Sequence, residues 1–301
     1  MAETSHSQTR VGFIGLGKMG LPMALNLHRK GFAVTGFDLS QAAREALVVK
    51  GAQAAETAAL ACRGAQVIVT MLPTSKIVTQ TLVGDGNALA DVSAGTIILD
   101  MSSSVPADTQ ALGRILSERG MVLIDAPVSG GVVKAIDGTL AIMAGGDVPE
   151  IAKAVLAAMS ATIFYTGVLG SGHAMKALNN YVSAAGAAAA VEALLAARAF
   201  GIDEALVTDI LNASTGRNNT TEIKVKKFML SGAYNSGFGL GLMAKDVAIA
   251  AEMGTELGLD LPLLSETSAL WSRASAALPA GADHTEIYRY LDLRNTDQTK
   301  V

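Results

Sequence analysis

The chain has 301 residues, half of them hydrophobic, 17% charged and 4% aromatic, with a formal net charge of −4. At about 100–200 residues per domain this is two domains' worth of sequence, and the balance excludes a disordered or collagen-like chain. It also leaves no basic footprint for nucleic acid or for an anionic membrane.

The single cysteine, Cys62, cannot form an internal disulfide and fits a reducing compartment; it reads as a small buried hydrophobe. The N-terminal segment MAETSHSQTR carries no apolar core and predicts no secretory signal, so a cytoplasmic location is expected. After that tail, residues 11–14 read as a strand, followed by the string GLGKMG and a helix through Lys30 that Gly31 ends. Ala33–Phe37 is the next predicted strand, closing on Asp38. Further strand-like runs occupy 67–72, 96–101, 122–126, 140–144 and 163–166, with helical patterns between most of them, for example 106–119 and 148–159. Strands this apolar, alternating with helices, predict an α/β fold with a Rossmann-type, doubly wound parallel sheet over residues 10–170.

From Gly172 onward the strand pattern stops. Residues 173–200 predict one long Ala-rich helix, and 204–214, 221–230, 243–257 and 264–277 predict further helices, an all-α second domain over 171–295. The apolar stretch 177–191 is shorter than the about 20 residues of a membrane span, so no membrane partner is expected. Residues 181–197 carry few charges on any face and must be surrounded. A second copy of the chain is expected to supply part of that cover.

Gly15, Leu16, Gly17, Met19 and Gly20 belong to a G-x-G-x-x-G string placed after a strand and at the start of a helix, the context that gives the pattern a mechanism. Gly15 permits the tight turn, Gly17 lets the backbone approach a pyrophosphate, and Gly20 lets the helix pack against the sheet. The bland reading is a plain glycine turn. Asp38 follows Gly15 at about the spacing of a ribose-binding acid. A carboxylate there accepts the ribose hydroxyls and repels a 2′-phosphate, which predicts NAD rather than NADP; its rival role is to cap the next helix.

The segment Asp125-Ala-Pro-Val-Ser-Gly-Gly131 falls at the carboxyl end of a strand, where open α/β sheets bind ligands. Ser129 offers a hydroxyl, and Gly130 and Gly131 offer unobstructed N–H groups, a set suited to a small carboxylate; a structural turn is the alternative. Lys176 and Asn180 stand one turn apart at the start of the long apolar helix. A lysine entering such a segment needs a partner or a role. Burial and a positively charged nicotinamide would both favour its neutral amine, the form that acts as a general base. A snorkelling lysine beside a solvated asparagine is the rival.

These motifs together, with Gly170 to Asn180 as G-x-G-x-x-x-K-x-x-N-N and Lys245-Asp246 further on, resemble the 3-hydroxyisobutyrate dehydrogenase group of the β-hydroxyacid dehydrogenase family, over about residues 10–292. The resemblance implies that Lys176 is the catalytic lysine and that Asn180 orients it and the substrate. It implies that Ser129, Gly130 and Gly131 bind the substrate carboxylate. Leu72 and Pro73 match the family's cofactor-binding pair, Ser103 stands where the family usually has a threonine beside the nicotinamide, and Lys245 matches a lysine that closes over the cofactor. The presence of the lysine argues against the imine-reducing relatives, which replace it. Dimers or tetramers are implied as well, built through the helical domain.

His6, His28, His173 and His284 show no metal-ligand spacing, and no metal is expected. The string from Ser214 to Glu222 reads as a solvated loop, or as a segment whose Arg217 reads the distal part of a substrate. The expected activity is an NAD-dependent interconversion of a small 3-hydroxy acid and its semialdehyde. The alternatives are reduction of tartronate semialdehyde or another short semialdehyde acid, and a dinucleotide-binding module without turnover.

Overall fold

The computed structural model describes residues 9–296, and His6 lies outside them. The chain divides into two compact units, one ending at Lys176 and the other beginning at Ala177.

The first unit is built on a nine-stranded sheet. Its strands are β1 (Arg10–Ile14), β2 (Ala33–Phe37), β3 (Gln53–Ala54), β4 (Val67–Thr70), β5 (Ile97–Asp100), β6 (Val122–Asp125), β7 (Val128–Ser129), β8 (Leu140–Gly145) and β9 (Ser160–Gly167). Their order is β3-β2-β1-β4-β5-β6-β8-β7, with β9 also paired to β8. Helices α1 (Gly20–Arg29), α2 (Gln41–Val49), α3 (Ala58–Cys62), α4 (Ser75–Leu82), α5 (Pro106–Glu118), α6 (Gly131–Asp137) and α7 (Glu150–Ala157) fill the connections. Strand side chains alternate faces. Val67, Val69 and Leu99 join Met23 and Leu27 of α1 in one buried cluster, while Ile68 and Ile98 join Leu112 and Leu116 of α5 in another. Both faces of β4 and β5 are thus covered, which is why these strands read as continuous apolar runs.

The sheet departs from the wholly parallel expectation at one side. Strand β8 runs antiparallel to β6 and β7, whereas the remaining pairs, including β8 with β9, are parallel. The reason is length: a parallel crossover needs a dozen or more residues, and residues 130–139 between β7 and β8 hold only the short α6.

The second unit is helical: α8 (Ser171–Phe200), α9 (Glu204–Ala213), α10 (Leu240–Glu256), α11 (Pro262–Ala277) and α12 (Ile287–Thr296). Helix α8 begins before Lys176, so its first turn and a half belongs to the first unit. Residues 221–230, expected as an α-helix, are wound as a π-helical stretch, Thr220–Leu230. In the second unit, the Trp271 indole N–H donates to the Ala184 carbonyl of α8 at 3.3 Å, and Val191 and Leu194 are fully buried. Over its most apolar 18 residues, mean hydropathy 1.4, α8 meets the length and composition of a membrane span, a test that core helices also pass; 33% of that window is buried. Val182 is 67% exposed in the single chain.

Candidate active site

The glycine loop is forced into shape by close backbone contacts. Gly15 adopts φ +97°, and a Cβ there would lie 2.3 Å from the Met71 carbonyl oxygen. A Cβ on Gly20 would lie 1.9 Å from the Gly15 oxygen, so only glycine lets α1 start this near the turn. A Cβ on Gly17 would meet nothing, leaving its backbone open to an incoming group. Asp38 is tied into the same loop: Oδ2 accepts from the Leu16 N–H at 2.7 Å and Oδ1 from the Ser40 N–H at 2.8 Å. Ser40, not Asp38, caps α2. The Leu16 N–H is therefore spent on Asp38, and Leu16 itself is buried.

Arg44, the nearest cation after Asp38 in the chain, donates to the Asp38 and Leu39 carbonyls and lies 3.6 Å from Glu56. Beside them a cavity of about 330 Å³ is lined by Phe37, Leu39, Thr57, Ile77 and Gln80, among others. Open glycine backbone, an acid just after β2 and an adjoining hollow with Phe37, Leu39 and Ile77 in its lining are the kinds of group that could hold a dinucleotide.

The next loops follow the carboxyl ends of β4 and β5. The Leu72 N–H donates to Ser102 Oγ at 2.9 Å; Pro73 is exposed, and Ser103 is half-buried between buried Ser102 and Ser104. After β6, Ser129 is half-buried in β7, while Gly130 and Gly131 are exposed with φ +133° and +69°. These positive angles need glycine, and the exposure leaves their N–H groups accessible. Met19 is half-buried just before α1.

Lys176 is 9% exposed, and Asn180 one turn later is 5% exposed. The Asn180 amide donates from Nδ2 to Asp246 Oδ2 at 2.6 Å, and Lys245 Nζ lies 3.7 Å from Asp246 Oδ1. Without the family resemblance, Lys245-Asp246 reads as a helix-start charge pair. Instead the pair sits in the second turn of α10, with Asp246 buried and holding Asn180. Arg217 is exposed and paired with Glu222 at 3.6 Å. The expected loop 214–222 is half helix cap: Asn218 Oδ1 accepts from the N–H groups of buried Thr220 and Thr221. Burial pushes the Cys62 thiol up to about 12, which leaves it unreactive at neutral pH.

Sequence reasoning missed a group of buried polar residues beneath these loops: Asp100, Asp125, His173, Thr109 and Ser104. Asp125 stands inside a motif singled out for Ser129, and its charge within an apolar strand was the available signal. The others carry no local pattern. Among the described residues no cluster of His, Cys, Asp and Glu can hold a metal ion.

Residues 10–167 match the NAD-binding domain of 6-phosphogluconate dehydrogenase, and residues 170–291 match the NAD-binding domain of NADP-dependent 3-hydroxyisobutyrate dehydrogenase. The chain is 37% identical to the 2-(hydroxymethyl)glutarate dehydrogenase of Eubacterium barkeri, covering 89% of each protein. It is 36% identical to the NAD-dependent L-serine dehydrogenase of Pseudomonas aeruginosa, covering 87% of this chain and 91% of that one. Among solved structures, the 3-hydroxyisobutyrate dehydrogenase of Mycobacterium tuberculosis with L-serine superimposes with a TM-score of 0.86 at 31% identity, covering 94% of this chain and 99% of the other. The cofactor is NAD(P). On sequence and fold together, the chain is a member of the β-hydroxyacid dehydrogenase family.

Proposed function

We propose that the chain interconverts a short 3-hydroxy acid and its semialdehyde, with NAD preferred and Lys176 as the general acid–base. The observation that carries this reading is the buried lysine one helical turn before an asparagine whose amide is fixed by a buried carboxylate. A lysine is kept out of water only where a role or partner repays the desolvation. When bound, the nicotinamide supplies the hydride acceptor or donor. In oxidation, neutral Lys176 Nζ takes the substrate hydroxyl proton; in reduction, the ammonium returns it to the developing alkoxide. Asn180, held by Asp246, orients that lysine and the substrate. The Ser129 hydroxyl and the Gly130 and Gly131 N–H groups take the substrate carboxylate and fix the reacting carbon.

The acids in the names of the three relatives, 2-(hydroxymethyl)glutarate, L-serine and 3-hydroxyisobutyrate, share a primary alcohol on the carbon next to the one that bears the carboxylate. That shared 3-hydroxypropanoate core is the substrate class we assign. Glycerate, the product of tartronate semialdehyde reduction, has the same core, so that reductase activity is the second reading. Asp38, tied to the glycine loop through Leu16, would take the ribose hydroxyls, and Arg44 is already engaged by carbonyls and Glu56, which favours NAD over a 2′-phosphorylated cofactor. The open face of α8 favours a homodimer or homotetramer.

A spectrophotometric screen of NAD reduction across these acids tests the class. Lys176→Ala should lose about two to four orders of magnitude in kcat with cofactor affinity unchanged. Near-normal turnover in that variant would remove Lys176 from the mechanism.

A further inference from the structure

Asp100 and Asp125 end neighbouring parallel strands and stand opposite one another in the β5–β6 register. Both are buried, Asp125 completely. Two carboxylates side by side out of water repel each other unless donors surround them. Here they are surrounded. Asp100 accepts from the Thr70 hydroxyl at 2.9 Å, the Ser102 N–H at 3.1 Å and the Ser104 hydroxyl at 2.8 Å. Asp125 accepts at 2.7 Å from each of the Gly170 and His173 N–H groups, two of the otherwise unpaired donors at the start of α8.

The His173 ring fills the space between them, 1% exposed, with each nitrogen 3.8 Å from one of the two carboxylates. Its Nε2 donates to the Ser102 carbonyl at 3.1 Å, and its Nδ1 meets the Thr109 hydroxyl at 2.8 Å. The fit allows no slack: a Cβ on neighbouring Gly172 would lie 2.2 Å from the Met143 oxygen. Ser102 in turn receives the Leu72 N–H on its hydroxyl. One imidazole therefore joins the loops after β4 and β5, which carry Leu72 and Ser103, to the first turn of the helix that carries Lys176.

We propose that His173 is a positioning residue, tied through Asp125 and Ser102, that sets the register of Lys176 against the loop bearing Ser103. The proposal rests on the reading of Lys176 as the proton carrier. Positioning errors of about 1 Å cost about 100-fold in rate, so the link between loop and helix controls kcat more than binding.

The test compares His173→Leu, which removes both ring contacts, with His173→Gln, whose amide can again donate to the Ser102 carbonyl. The assay uses whichever of L-serine, 3-hydroxyisobutyrate and 2-(hydroxymethyl)glutarate the protein turns over fastest. Expected for His173→Leu is a kcat lower by about 10–100-fold, with NADH affinity and KM within about threefold, and recovery of most of the loss in His173→Gln. Amide exchange followed by mass spectrometry should quicken in peptides covering 101–104 and 171–176, and not in α10 or α11. A folded His173→Leu protein with unchanged kcat, or a Gln variant no better than Leu, overturns the proposal. If His173→Leu does not fold, Thr109→Val, which keeps the side-chain shape, decides instead: kcat lower by about 3–10-fold supports the link, and unchanged kcat overturns it. Lys176→Ala in the same assay separates the two readings. Activity retained there sinks the lysine mechanism; activity lost there with His173→Leu normal sinks only the positioning role.

Discussion

The two units hold their polar side chains by different means. In the first, carboxylates at strand ends are fixed chiefly by backbone donors: Asp38 by Leu16 and Ser40, Asp125 by Gly170 and His173. In the second, side chain holds side chain across long sequence separations: Asn180 with Asp246 at 2.6 Å and Tyr288 with Glu204 at 2.8 Å. A group held by backbone demands particular turns, and turns demand glycine and aspartate at fixed offsets. A group held by a distant side chain demands only that two residue types meet.

The contrast predicts which substitutions do damage. In the first unit an added methyl should be worse than a lost polar group. Gly172→Ala, whose new Cβ would press on the Met143 carbonyl, should lower the melting temperature by several degrees and turnover by about 100-fold. Thermal unfolding and steady-state kinetics check this; a variant normal in both would show that α8 is not seated by backbone contact. In the second unit the damage should come without unfolding. Asp246→Asn keeps the shape and removes the charged acceptor of Asn180, so kcat should fall by about 10-fold with the melting temperature nearly unchanged. Equal loss of stability and rate would erase the distinction between the units.

The same contrast explains what was legible. GLGKMG, Asp38 and the run from Asp125 to Gly131 could be read because Gly15, Gly20 and Gly130 stand where only glycine fits, and periodicity marked the strands between them. The antiparallel β8 was not legible, since its direction depends on counting the residues of α6 rather than on the strand itself. Asp246 was legible only through the family resemblance, because its partner lies in another helix. His173 was read as one of several scattered histidines. Its ring contacts, Ser102 and Thr109, are far from it in the chain and follow no spacing.

Smaller effects sharpen the comparison further. Asp38→Ser leaves the glycine loop without its carboxylate and should let NADP compete with NAD, read as a change of about 10-fold in the ratio of kcat/KM for the two cofactors. Strong use of NADP by the unaltered protein would remove Asp38 as the selector. On α8, Ala189 is exposed in the single chain although its neighbours Ala188 and Ala190 are buried. Ala189→Glu should therefore fold and lower the mass seen by light scattering, while cofactor binding by the first unit persists. An unchanged mass would mean that this face of α8 makes no contact between subunits.

The smallest expected effect concerns Lys224, half-buried on the π-helical stretch. Burial pushes its ammonium below the usual lysine range, against a smaller upward pull from Asp283. Asp283 gives little back. Burial alone would raise its carboxyl, but hydrogen bonds with His284, Thr285 and Ser236 outweigh this and hold it far below the usual range, already saturated by donors. A cation whose folded value is lowered costs stability below that value, and the cost is relieved as pH rises toward the ordinary lysine value of about 10.4. Lys224→Met should accordingly raise the melting temperature at pH 7 by about 2–4 °C. The gain should shrink as pH rises toward about 10, as the unaltered protein sheds the same charge. A gain independent of pH would assign the effect to packing instead, and a loss would show that the ammonium has a partner worth more than its desolvation.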